Sequence, residues 1–265
     1  MIPHLRAVPT MMRLGFAQLV AWRAEMVIWF LTSTLPLVML GLWNAVADGG
    51  PVAGFDRSEI ARYFVATLIV RQLTGSWLLW TLNWEIRTGA LSPKLLKPIH
   101  PLWFEAIRMV AAMPFRVVVL TPFVALLVLW RPDLWWTPTP LAFATFLVSV
   151  SLAWALWFLF QAWFGMLAFW LEQSMGLFNT FFVAWMLLSG YVAPIATFPP
   201  WLQAVGVYLP FRSMLAVPVE LLGGFLSPEA ALPELLTQAA WVAGASVACA
   251  LTWREGVKRY GAFGA

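Results

Sequence analysis

The sequence predicts an all-α integral membrane protein with six transmembrane helices, and three observations predict it. Hydrophobic residues make up 62% of the 265 residues and charged residues only 11%, far below the roughly one quarter that soluble domains carry; the mean hydropathy is +0.81. Six stretches are each apolar enough, and close to the ~20 residues long, that a helix rising ~1.5 Å per residue needs to cross ~30 Å of hydrocarbon. The charges fall almost entirely between those stretches. A strand-built barrel is excluded because its spans read as alternating segments of about ten residues, and these are continuous apolar runs.

The chain starts with an amphipathic segment. Leu5, Val8, Met12, Phe16 and Leu19 fall on one side of a helical wheel, with Arg6, Thr10 and Arg13 on the other, the pattern of a helix lying in the membrane interface over residues 1–23. Pro9 fits its first turn, and Leu14 interrupts the polar face. The plainer alternative is a lead-in to the first span. Pro3, Arg6, Pro9 and Arg13 break up any early apolar core, so a cleavable signal peptide is not expected.

The expected spans run from Ala24 to Asn44, Ile60 to Leu82, Ile107 to Trp130, Leu141 to Ala168, Gly176 to Ala193 and Leu235 to Trp253. Among the 18 tryptophans, Trp22, Trp43, Trp84, Trp103, Trp130, Trp135, Trp136, Trp201 and Trp253 lie near span ends, where an amphipathic ring prefers the headgroups. Arg6, Arg13 and Arg23 precede span one, Arg87, Lys94, Lys97 and Arg108 separate spans two and three, and Arg254, Lys258 and Arg259 follow span six. By the positive-inside rule these segments and both termini are cytoplasmic. Glu172 is the only charge between spans four and five, where Gln173, Ser174 and Asn179 complete a polar break expected to be a solvated connection. No inter-span segment holds a soluble domain of ordinary size, so residues 1–265 read as one membrane domain. The net charge of +4 is topological; no basic stripe of the kind that reads nucleic-acid phosphates is present.

Between spans two and three, residues 84–105 read as a cytoplasmic segment carrying a short helix. Ser92 is a good N-cap, Pro93 fits the first helical position, and Pro98 disfavours helix at Lys97. Gly89 permits a sharp entry. Leu91 and Leu95 share a face, leaving Lys94 and Lys97 for polar contacts. A short rigid helix with an apolar edge and basic flanks suits insertion into another protein's groove. An ordinary loop obeying the positive-inside rule accounts for the same lysines.

The segment 194–230 is too broken by proline for a simple span and too apolar for a solvated loop. Pro194, Phe198, Pro199, Pro200, Trp201, Pro210 and Phe211 fit short helices dipping into the outer leaflet as a re-entrant hairpin between spans five and six, serving either as an outer gate or as a packing device. Arg71 falls near the middle of span two and must face protein or water. It lines a substrate path or makes a structural pair. Arg116, about two turns into span three, is expected to snorkel toward the cytoplasm as an anchor.

No G-x-x-x-x-G-K-[ST] phosphate loop occurs, so energy would come from a partner. Cys249 is the single cysteine, which excludes an intrachain disulfide and a cysteine-built metal site. His4 and His100 belong to no H-E-x-x-H motif. No catalytic residue and no metal ligand is expected. Two competing functions remain: an intramembrane lipid-modifying enzyme, which would need several ionisable groups at one depth, and a stand-alone ion-coupled carrier, which would need an acid inside a span.

The run Val52-Ala53-Gly54-Phe55 with Glu59, the stretch Gly89-Ala90-Leu91-Ser92 with Leu95-Leu96-Lys97-Pro98, the run Pro194 to Trp201 with Leu209-Pro210-Phe211, and the tail Tyr260-Gly261-Ala262-Phe263-Gly264 together resemble the bacterial type-2 ATP-binding cassette (ABC) exporter permeases. The likeness is nearest to their six-span branch often encoded with a second, related permease. The resemblance implies a permease subunit in the bacterial inner membrane that binds no cofactor itself. Two ABC ATPase subunits would bring ATP and Mg, and a second permease chain, identical or related, would complete the complex among membrane lipids. It also implies that the loop between spans two and three holds a coupling helix, with Ser92 and Pro93 at its start, and that Glu85, Arg87, Gly89, Leu91, Leu95, Leu96 and Lys97 of this loop carry the contact with the ATPase. Residues Leu5 to Val20 and Pro194 to Gly224 would be the family's interfacial helix and re-entrant hairpin.

Overall fold

A computed structural model describes residues 9–13, 35–131 and 137–262. The described residues are helical, with no strand beyond an isolated Val52–Phe55 bridge. Residues 9–13 form a helical turn; the rest of the expected interfacial helix and the first half of span one lie outside the described residues.

Helix α1 (Leu35–Ala47) packs on α2 (Arg57–Thr74). Asp56 starts α2 with a capping box: its carboxylate accepts from the Glu59 amide at 2.8 Å, and the Glu59 side chain accepts from the Asp56 amide at 3.0 Å. Its sequence is the least apolar of the helices expected to span. Yet Tyr63, Phe64, Ala66, Leu68 and Val70 are each at most 1% exposed, because α1, α6, α7 and α11 surround it.

Span two is not the continuous helix expected between Ile60 and Leu82. Helix α2 ends at Thr74 and α3 (Leu78–Thr88) begins after a break at Gly75-Ser76-Trp77. The backbone groups freed there are met by side chains from elsewhere. Arg116 Nη1 donates to the Gly75 carbonyl at 2.5 Å and to that of Gln72 at 3.3 Å. Gln161 donates to the Ser76 carbonyl at 2.7 Å and accepts from the Leu79 amide at 3.3 Å. Unsatisfied backbone away from water costs several kcal/mol, so these two side chains are what the break requires. Arg116 therefore turns inward as a backbone cap, and the expectation that it snorkels outward is corrected.

A one-turn helix α4 (Ser92–Leu95) leads to α5 (Pro101–Ala111) and α6 (Met113–Trp130), which follow each other closely. The central member is α7 (Pro140–Met166), capped by Thr139, whose hydroxyl accepts from the Ala142 amide at 3.2 Å. It contacts α2, α3, α8 (Ser174–Leu188) and most extensively the last helix. Ser174 is buried and accepts from Asn83 Nδ2 at 2.6 Å, so it is part of the packing and not of a solvated turn.

After α8 the chain breaks into α9 (Pro200–Gly206), α10 (Pro210–Met214) and α11 (Ala216–Gly223). The first part is open, with Trp201 and Tyr208 exposed; from Met214 to Val219 the chain is fully buried. The last helix, α12 (Ala231–Ala262), has 32 residues. At ~1.5 Å per residue it reaches ~48 Å, enough to tie both ends of the bundle together. At its start, Glu234 and Glu220 both pair with Arg212, joining α10, α11 and α12. In its interior, Gln238 bonds Ser149 of α7 and donates to the Ser213 carbonyl at 2.8 Å. Three helical stretches, Pro101–Leu129, Pro140–Phe169 and Ala231–Tyr260, are long and apolar enough to cross a membrane.

Candidate functional site

At the end of the bundle where α12 terminates, the α3–α4–α5 segment is built on a buried ionic core. Gly89, with φ of 78°, ends α3 in the left-handed region, where a residue with a Cβ is strained. The chain then turns so that Lys94 on α4 lies over Glu85 on α3 and Glu105 on α5, at 2.5 and 2.8 Å. Glu105 also receives Arg108 at 2.6 Å. Both carboxylates are buried. Burial raises the Glu85 carboxyl above its ordinary range, with Lys94 opposing that shift. Burial also works against the Lys94 ammonium, but its bonds to Glu105 and Glu85 outweigh this and hold it above its usual range.

The helix α4 lacks the cap expected for it. Leu91 occupies the N-cap position, Ser92 is the first helical residue and Pro93 the second. The Ser92 hydroxyl instead meets the Tyr260 hydroxyl at 3.0 Å, so the last turns of α12 hold α4 in place. Tyr260 packs edge-on against Phe169 at 5.9 Å, and Arg87 donates to the Leu171 carbonyl at 3.2 Å. Between these parts lies an open cavity of about 870 Å³, walled on one side by Ile86, Arg87, Gly89, Ser92, Leu95 and Leu96 and on the other by residues 168–172, Arg259 and Tyr260.

The residues expected to contact a partner divide accordingly. Leu91 is fully buried and Leu95 half-buried against the same apolar cluster. Glu85 is spent on Lys94. Leu96 is 88% exposed, and Arg87, Pro93 and Lys97 also face outward. The sequence reading missed Lys94 as the central cation, and missed Glu105, Arg108 and Tyr260. Glu85 and Glu105 are the only acids between residues 60 and 130, a signal that could have found the network.

Arg71 lies elsewhere, inside the bundle. Its guanidinium sits 5.1 Å from the ring centroids of both Trp157 and Trp185, with Tyr191 as polar neighbour. Its described contacts are with these rings and not with the proline-rich segment, where Pro194 and Pro210 are buried and Phe211 packs on Phe181 at 5.5 Å. Among the described residues no group of three or more His, Cys, Asp or Glu could hold a metal ion.

Helices of membrane-spanning length, a broken polar-stitched helix among them and a braced, exposed turn at one end define a multi-pass membrane protein. A family model described as ABC-2 family transporter protein matches residues 26–264. The chain belongs to that family, and is thereby an ABC permease subunit, a transport component that works with ATP-binding cassette proteins. No curated protein and no solved structure matches it.

Proposed function

We propose that this chain is the membrane-spanning permease of an ABC exporter, moving an amphiphilic substrate across the bacterial inner membrane with ATP and Mg bound and ATP hydrolysed by two partner ATPase subunits. A second permease chain, identical or related, completes the complex. The chain crosses six times, with both termini and α4 in the cytoplasm, and residues 194–230 form the re-entrant outer hairpin. The observation that carries this reading is α4: a one-turn helix anchored from below by Lys94 and from the side by Tyr260, holding an 88% exposed Leu96 over an open cavity. A rigidly mounted apolar knob transmits force, whereas a loose loop absorbs it.

The test is Leu96→Asp. An unpaired carboxylate in an apolar docking groove costs roughly 1–3 kcal/mol, a loss of about five- to 150-fold in affinity. Leu96 contributes nothing to the fold, so expression and melting temperature should hold while co-purification of the ATPase and substrate-stimulated ATP hydrolysis fall. Leu95→Asp is a poor substitute, because its half-buried side chain packs on the core. Full coupling in Leu96→Asp, or a wild-type chain that brings down no ATPase, would sink the proposal.

A further inference from the structure

We propose that Arg71, beside the break between α2 and α3, is an anion subsite inside the bundle that takes the phosphate or carboxylate of an amphiphile. It rests on the exporter reading only in taking that amphiphile as the transported substrate.

Arg71 stands between two indole rings whose centroids are themselves 4.7 Å apart. Such contacts satisfy the face of a guanidinium and leave its N–H edge free. Part of that edge is unmet: Nη1 is buried with no hydrogen-bond partner. Among the described residues no carboxylate is within ion-pairing reach, and Tyr191 is the polar group that acts on it. A second cation lies close by, since Arg116 caps the Gly75 carbonyl and its charge repels that of Arg71. Two interacting cations with no acid in reach leave positive charge that an incoming anion would neutralise.

The two rings themselves add unpartnered donors, since Trp157 Nε1 and Trp185 Nε1 are buried without partners. Unpartnered donors beside a guanidinium suit an anion and disfavour a cation. The walls are otherwise aromatic, with Phe182 5.4 Å from Trp185 and 6.3 Å from Trp157. Such walls would meet the apolar part of the same ligand, which is why an amphiphile is expected rather than a free ion.

The experiment uses the purified full-length chain in neutral detergent and reads the melting temperature during titration with dihexanoyl phosphatidylglycerol, dihexanoyl phosphatidylcholine or inorganic phosphate. The wild type should show a saturable rise with phosphatidylglycerol and none with phosphatidylcholine. Arg71→Gln should lose that rise, Arg71→Lys should show it with weaker affinity, and Arg254→Gln, which removes an exposed charge, should keep it. If Arg71→Gln does not fold, the comparison of wild type with Arg71→Lys decides. Absence of a saturable rise in the wild type, equal affinity in Arg71→Lys, or a response to inorganic phosphate alone would each overturn the proposal. No ATPase subunit enters the assay, so such a failure leaves the exporter reading standing, and that reading fails separately if no ATPase co-purifies.

Discussion

Gly256 illustrates how closely α12 approaches its neighbours. A Cβ there would run into the ring of Phe169, which is 6% exposed and also packs on Trp253 and Tyr260. Replacing a helical glycine by alanine gains up to ~1 kcal/mol of propensity, while overpacking a filled site costs ~1–3 kcal/mol. The steric cost wins. Gly256→Ala should lower the melting temperature and Gly256→Val should lower it further, both loosening the contact between Tyr260 and Ser92. A rise in melting temperature for either variant would show that Phe169 simply turns aside.

At the scale of the element, α4 is too short to hold itself. One turn fixes several backbone angles for about one hydrogen bond, so its shape comes from what surrounds it. Leu91 and Leu95 provide the apolar footing, and their four-residue spacing made that legible in the sequence. The ionic footing was not legible, because Lys94 finds acids nine and eleven residues away that only the turn at Gly89 brings under it. Lys94→Met removes the cation between two buried carboxylates. Breaking a buried pair costs roughly 3–5 kcal/mol, and the 22% exposure of Lys94 reduces this toward ~1–3 kcal/mol. Glu85 already has a raised pKa, and without Lys94 it rises further. A carboxyl raised on folding stabilises the fold below that raised pKa and the benefit is lost as pH rises through it. Lys94→Met should therefore destabilise the chain most near pH 7 and less near about pH 5, by thermal melting. A defect independent of pH would mean that the carboxylates escape to water.

For the molecule as a whole, the long apolar helices were legible because hydrocarbon thickness dictates a length and a composition that a single run must meet. The break in span two was not. Gly75-Ser76-Trp77 is unremarkable inside an apolar run, and what makes it a break is Gln161, 82 positions away from Leu79 in the chain. Likewise Arg116 reads as a charge near a span end, and only the position of Gly75 reveals it as a backbone cap. Local pattern fixes which segments are apolar; distant polar side chains decide where their backbone is interrupted.

The enclosure of α2 has a consequence for how the protein is made. A helix carrying Arg57, Glu59, Arg62 and, in its last turn, Arg71 enters lipid poorly, since an arginine held at mid-membrane costs roughly 2.5–3.5 kcal/mol on insertion scales. Yet α2 emerges from the ribosome before α6, α7 and α11, three of the helices that shelter it. It should then wait at the insertion machinery for later segments. Cysteines placed at Asp48 and Lys97 should label from opposite sides of the membrane in the full chain, and lose that asymmetry in a chain truncated after Ala112. Labelling from one side in the full chain would overturn the six-span orientation. Unchanged asymmetry in the truncated chain would show that α2 enters on its own, and that biogenesis need not proceed as one late, collective step.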